Sequence, residues 1–227
     1  MKNSVIVIGL ALCFLAVGFL RGSAQTSEPQ FLVTWRAQSY VPPWFGGKVL
    51  PGANSPITVS FDLVSQGKIL DLTGQTIYWY ANNGLLEGAS GKQTATFSAP
   101  AFAPNLVNLR IQMPNYKGNF LIKEIKIPVV APEVVIETPY PAGSFFSPSF
   151  SARGVPYFFN VASPLNLNFS WSVNGEPAQN AENPDKLDVT LNADAPSGST
   201  IEIGLYVKNP DDEFNAASAN VDLIYAK

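Results

Sequence analysis

Over residues 165–173, Leu-Asn-Leu-Asn-Phe-Ser-Trp-Ser-Val, every odd position is apolar and every even position polar. A period of two sends alternate side chains to opposite faces of a strand, so the segment predicts a half-buried strand with Trp171 facing a core. Asn174-Gly175 follows at once, the pair best suited to a two-residue hairpin. The same alternation runs over residues 200–208, with Ile201, Ile203, Leu205 and Val207 on one face, and again through Leu187, Val189, Leu191 and Ala193.

This series of events has a forerunner earlier in the chain. Thr76-Ile77-Tyr78-Trp79-Tyr80 runs into Asn82-Asn83-Gly84, followed by Ala95, Phe97 and Ala99, then Val107, Leu109, Ile111 and Met113. Phe97 lines up with Leu191, Leu109 with Ile203, Ile111 with Leu205 and Met113 with Val207, all at an offset of 94; Trp79 meets Trp171 at 92. A repeat unit this long, present twice, implies tandem domains and not a solenoid. The expected division is residues 25–128 and 129–227. Pro128-Val129-Val130-Ala131-Pro132 joins a strand over 123–127 to one over 133–137. Two prolines make that linker short and stiff.

Composition agrees. At 227 residues the chain has room for two domains of about 100 residues each. Only 14 % of residues are charged, while 19 prolines and 17 glycines supply turns for many short strands and argue against helices. Histidine is absent, which removes the commonest general base and zinc ligand. The one cysteine, Cys13, lies in an N-terminal apolar run, so neither domain has thiol chemistry or a disulfide. No spacing points to Ser–Lys or paired-carboxylate catalysis, and no cofactor is expected.

That apolar run spans residues 5–20, after Lys2 and before Arg21 and the small residues Gly22-Ser23-Ala24. Residues 1–24 therefore read as a signal peptide or a membrane anchor. Sixteen apolar residues fall short of the roughly 20 that a spanning helix requires, which favours the cleaved signal. Either way, export is expected, and the rest of the chain belongs at the cell surface, in the periplasm or outside the cell.

The motifs Ile77-Tyr78-Trp79-Tyr80 with Asn83-Gly84, and Phe169-Ser170-Trp171-Ser172-Val173-Asn174-Gly175-Glu176, resemble the immunoglobulin-like and PKD-like sandwiches of bacterial surface proteins. In that fold the Trp of the third strand packs between two sheets. The first copy departs from the pattern by one extra residue between Trp79 and its turn. The inter-sheet cysteine pair of antibody domains is missing, so each core must hold by apolar burial alone. Trp35-Arg36-Ala37 with Tyr40-Val41-Pro42, and Val155-Pro156-Tyr157-Phe158-Phe159, are similar to exported two-module proteins that accompany type IV pili in ultra-small host-associated bacteria. The resemblance implies an all-β chain of two tandem immunoglobulin-like sandwiches with Trp79 and Trp171 as core residues. It carries over no functional residue.

Candidate contacts come from elsewhere. Tyr40-Val41-Pro42-Pro43-Trp44-Phe45 is an aromatic run where strand pairing is not expected. Tyr40, Trp44 and Phe45 could stack on a sugar ring, anchor a protein partner, or cap the open end of the first sandwich. Phe145, Phe146, Phe150, Tyr157, Phe158 and Phe159 raise the same choice, with core and inter-module packing the plainer reading. Glu182, Asp185, Asp188, Asp194, Asp211, Asp212 and Glu213 gather in the second half and could offer calcium its oxygen ligands, but Asn209-Pro210-Asp211-Asp212 reads equally well as a turn, and no loop has the spaced ligands with a glycine of a dedicated site. Residues 25–128 carry eight Lys/Arg and five Asp/Glu, net +3; residues 129–227 carry four and twelve, net −8. Opposite signs suit either solubility or head-to-tail self-association, and they exclude a nucleic-acid role for an acidic exported chain. The expected function is a non-enzymatic structural or protein-interaction scaffold of the envelope, as a pilus-assembly or adhesion accessory. A carbohydrate-binding module is the alternative.

Overall fold

The structure is a computed structural model that describes residues 28–178, 183–192 and 194–226. The expected signal or anchor, Cys13, Glu182 and Ala193 lie outside the described residues. In chain order the first half contributes β1 (Gln30–Ala37), β2 (Pro56–Ser65), β3 (Lys68–Ile69), β4 (Thr76–Ala81), β5 (Gly84–Ser90), β6 (Thr94–Ser98), β7 (Asn105–Tyr116) and β8 (Asn119–Val129). The second half contributes β9 (Glu133–Glu137), β10 (Ser144–Phe145), β11 (Ser149–Tyr157), β12 (Asn168–Val173), β13 (Glu176–Ala178), β14 (Lys186–Thr190), β15 (Thr200–Asn209) and β16 (Asp212–Tyr225).

Each half is a sandwich. In the first, β2 pairs with β1 along one edge and with β3 and β6 along the other, while the facing sheet runs β5-β4-β7-β8. In the second, β14-β11-β9 faces β10-β16-β15-β12-β13. Alternation explains the packing. Ile57, Val59, Phe61 and Leu63 of β2 meet Ile77, Trp79, Leu109, Ile111 and Met113 in one core. Phe150, Ala152, Leu187 and Val189 meet Trp171, Ile203, Leu205 and Val207 in another. Removing that much apolar surface from water is the driving force for both sheets, at about 25 cal/mol per Å². The chain is thus all-β, with two immunoglobulin-like sandwiches.

The repeat extends to individual hydrogen bonds. Trp79 lies opposite Ile111, and Trp171 opposite Leu205. The Trp79 indole N–H donates to the Lys92 carbonyl at 2.8 Å and the Trp171 indole to the Pro184 carbonyl at 2.9 Å, each 13 residues downstream. Two large rings are thereby buried with their one polar atom satisfied. Three residues after each Trp, an Asn sits at positive φ, 47° for Asn82 and 51° for Asn174. Its amide oxygen accepts the N–H of Asn108 or Glu202 from the neighbouring strand, at 2.9 and 3.0 Å. Asn82→Ala and Asn174→Ala should each cost about 1–2 kcal/mol, since alanine loses the bond and adopts the left-handed region poorly. A lower urea midpoint with an unchanged slope is the expected result.

Two sequence readings are corrected here. The first hairpin turns on Asn82-Asn83, with Ala81 opposite Gly84, one residue earlier than Asn83-Gly84. The extra residue therefore disappears: Trp-x-x-Asn occurs unchanged in both copies. Asparagine tolerates the left-handed backbone well enough to occupy the place of Gly175. Second, the alternating run at 165–173 is strand only from Asn168. Residues Pro164–Asn166 form a 3-10 turn that leaves Leu165 85 % exposed. Proline fixes the first φ of that turn, and the Ser163 hydroxyl caps the Leu165 N–H.

The copies also differ where it matters. In the second sandwich β10 runs parallel to β16, and Ile224 and Ala226 donate N–H groups to Gly143 and Phe145. The pairing of Val107 with Ile127 and of Ile201 with Leu223 makes Pro128 the counterpart of Ile224. Proline has no N–H to give, and only the Val130 N–H to the Pro51 carbonyl remains, at 2.9 Å. Residues 38–55 of the first sandwich thus keep this one bond at the end of β8, while at their ends Gln38 and Asn54 donate to Pro56 and Pro100 and Ser55 accepts from Ala99.

Candidate functional site: the aromatic junction

Those residues reach across to the second sandwich. The Tyr40 N–H donates to the Phe159 carbonyl and the Phe158 N–H to the Tyr40 carbonyl, both at 2.7 Å, a short antiparallel bridge between chain segments over 110 residues apart. Phe159 is fully buried in the second core, so the bridge starts from a fixed point. Gly52 passes so close to Phe158 that a Cβ there would stand 2.3 Å from its carbonyl oxygen. The Gly52 N–H is held by the Ser39 hydroxyl at 2.8 Å, and Ser39 bonds Ser55 at 2.9 Å in a buried pair. Phe158 is left at φ 60°, a costly conformation for an aromatic residue that surrounding contacts must enforce.

Aromatic side chains brace both flanks. Phe45 meets Tyr157 and Phe158 edge-on, with ring centroids 5.9 and 5.7 Å apart. On the opposite flank Phe102 meets Phe214 at 5.7 Å, and the Asn54 amide donates to the Asp212 carboxylate at 3.0 Å. Asp212 also accepts from the Phe214 N–H, and the Asn209 side chain accepts from the Asp211 N–H. Asp212 and Asn209 therefore bind main chain and Asn54. Among the described residues no group of three or more His, Cys, Asp or Glu could hold a metal ion.

Beside Phe45 a notch of about 180 Å³ opens, lined by Tyr40, Trp44, Arg153, Leu165, Phe169 and Asp185 together with nearby prolines. Trp44 is 57 % exposed at its rim. The Arg153 guanidinium lies 5.6 Å from the Trp44 ring centroid, within cation–π range, while its Nε donates to Asp185 at 3.2 Å. Both partners of that ion pair stay partly exposed. Burial pushes the Tyr40 hydroxyl above its ordinary pKa, against a smaller downward pull from Arg153. Its phenol stays neutral, a hydrogen-bonding group without charge.

The three aromatic residues singled out in the sequence thus have three different settings. Tyr40 bonds through its backbone, Phe45 is wedged against the second sandwich, and Trp44 stands out to solvent. Trp79 and Trp171 sit in the two cores, and Trp171 reaches the notch lining only through its indole N–H bond to Pro184. Gly52, Arg153, Leu165 and Phe169 were missed as site residues, and Asp185 was read only within the acidic cluster. Ser163-Pro164 was the one local signal available, for the turn that presents Leu165; the others meet only through the fold. Among the described residues no helix is long and apolar enough to cross a membrane.

No protein-family model matches this chain, and no curated protein matches it. Among solved structures it is similar to the fibronectin(III)-like modules of Clostridium thermocellum CbhA, at 16 % identity and TM-score 0.32, over 86 % of this chain and 94 % of that one. It is also similar to three N-terminal domains of the bacteriophage RB49 highly immunogenic outer capsid protein, at 11 % identity and TM-score 0.44, over 87 % and 59 %. A third likeness is to the Yersinia pseudotuberculosis adhesin InvE, at 17 % identity and TM-score 0.30, over 84 % and 58 %. This chain spans less than two thirds of the last two. Likenesses this distant carry no argument about activity or partner, and the fold assignment stands on the sheets described above.

Proposed function

We propose that this chain is a non-enzymatic, extracytoplasmic scaffold that presents a binding surface at the junction of two modules, residues 25–128 and 129–227. The observation that carries the reading is the interlock: a two-bond backbone bridge, a glycine seated on a facing carbonyl, and aromatic contacts on both flanks. A flexible tether would require none of these. An assembly component that must hold a partner at a set distance and angle does. The leader-like sequence at residues 1–24 adds export, and a surface or envelope assembly, pilus-like or adhesive, is the setting that fits.

A photo-reactive amino acid at Leu165, exposed at the rim of the notch, should capture envelope or filament proteins on intact cells. Recovery of uncoupled monomer alone would count against the scaffold role. A second reading, carbohydrate binding, is favoured by one feature: Trp44 offers an exposed indole next to the Arg153–Asp185 pair.

A further inference from the structure

We infer that the notch bounded by Tyr40, Trp44, Arg153, Leu165, Phe169 and Asp185 is a saccharide subsite that takes one neutral pyranose ring. The inference deepens the carbohydrate reading and is independent of whether the chain also serves as a scaffold.

The chemistry of the lining selects the occupant. At about 180 Å³ the notch is far smaller than the roughly 300–1,000 Å³ of ordinary ligand pockets, and it suits a single ring or one side chain. Its charges already compensate each other, because Arg153 Nε is bonded to Asp185. An anion or a cation therefore finds no net opposite charge. A wholly apolar occupant, such as a leucine or proline side chain, would suit Leu165, Phe169 and Trp44. It would also strip water from a partly exposed ion pair and return no hydrogen bonds, a desolvation cost without compensation.

A pyranose meets both demands. One face of its ring carries C–H groups that pack on an indole, and its equatorial hydroxyls both donate and accept. Among the described residues neither the Arg153 terminal amines nor the second Asp185 oxygen has another hydrogen-bond partner. Together they present donors and an acceptor at the edge of the aromatic surface, to which the neutral Tyr40 hydroxyl adds one group of each kind. The setting is rigid as well: Tyr40 is pinned through its backbone to Phe159, and Gly154, next to Arg153, donates its N–H to the Asp185 carbonyl at 2.7 Å. Such preorganisation limits the entropy lost on binding.

The full-length chain, labelled with nitrogen-15, should be titrated with methyl glycosides of glucose, galactose, mannose and N-acetylglucosamine. Its four tryptophans give four indole N–H signals, a site-specific readout. For at least one glycoside the Trp44 signal should shift saturably, while those of Trp35 and Trp79 stay in place. Trp44→Ala should weaken binding at least tenfold. Asp185→Asn, which keeps the shape, should weaken it several-fold without altering thermal unfolding. The inference is overturned if no glycoside moves the Trp44 signal, or if both variants bind as the parent does. It is equally overturned if a proline-rich peptide moves that signal where the sugars do not, which would make the notch a protein-docking site. Failure of sugar binding leaves the scaffold reading standing, and failure of cross-linking leaves the sugar subsite standing, so the two readings fail separately.

Discussion

Replacing Trp79 with alanine should unfold the first sandwich and leave the second folded. Trp79 has no solvent exposure, packs against Phe61 at 5.6 Å between ring centroids, and faces Ile111 across the strand pair. Its loss opens a cavity between the sheets and orphans the Lys92 carbonyl that its indole satisfied. Aromatic-to-alanine changes in cores cost about 3–5 kcal/mol, and the freed carbonyl, on an exposed residue that water can reach, adds little to that. Domains of this size are stable by only about 5–15 kcal/mol, so most or all of the margin goes. Trp171→Ala should do the same to the second sandwich, where Pro184 is the orphaned carbonyl. The two cores share no residue, so each variant should shift one calorimetric transition by ten degrees or more and the other by far less. Phenylalanine at either position separates the terms. It keeps much of the apolar volume and loses the N–H, and should cost about 1–3 kcal/mol. Equal loss in both transitions from a single Trp→Ala change would show that one cooperative unit spans both cores.

How much of this was legible beforehand follows from how local each feature is. Inward and outward alternation is written into consecutive residues, so Ile201, Ile203, Leu205 and Val207 could be set on one face from the sequence, and all four are buried. The repeat offset of 94 holds in space because Trp79 opposes Ile111 and Trp171 opposes Leu205. The errors arose where a pattern of period two carried no information about backbone sign. Leu165 matched the alternation, yet Ser163-Pro164 turns the chain there. Asn83-Gly84 looked like the hairpin centre, yet Asn82 takes the first left-handed position because its side chain also ties down Asn108. The junction was illegible for a different reason. Tyr40 and Phe159, or Gly52 and Phe158, are more than a hundred residues apart, and neither member of a pair signals the other. An aromatic run in a proline-rich stretch announces that something covers it without saying what.

Gly52 should prove the most sensitive position outside the cores, and its effect should be on geometry more than on folding. A Cβ placed there meets the Phe158 carbonyl oxygen at 2.3 Å, and that oxygen is backbone, so no side-chain rotation relieves the contact. Gly52→Ala must push Phe158 away by about an ångström or break the Gly52–Ser39 bond that holds the loop. The first response pulls the Tyr40–Phe159 bridge apart, and the second exposes the buried Ser39–Ser55 pair. Overpacking of this kind costs about 1–3 kcal/mol, and Gly52→Val should cost more. The strain falls on contacts between the sandwiches, because Phe158 has Phe45 and Tyr40 as neighbours from the first and few alternatives at φ 60°. Each core should therefore keep its own unfolding transition while the pair loses its fixed angle. Small-angle scattering should show a broader distribution of maximum dimensions, and residues 38–55 should become open to proteolysis. A Gly52→Val chain with unchanged scattering and an intact loop would mean that the facing carbonyl can give way without cost. The rigid coupling proposed between the modules would then rest on the remaining aromatic contacts alone.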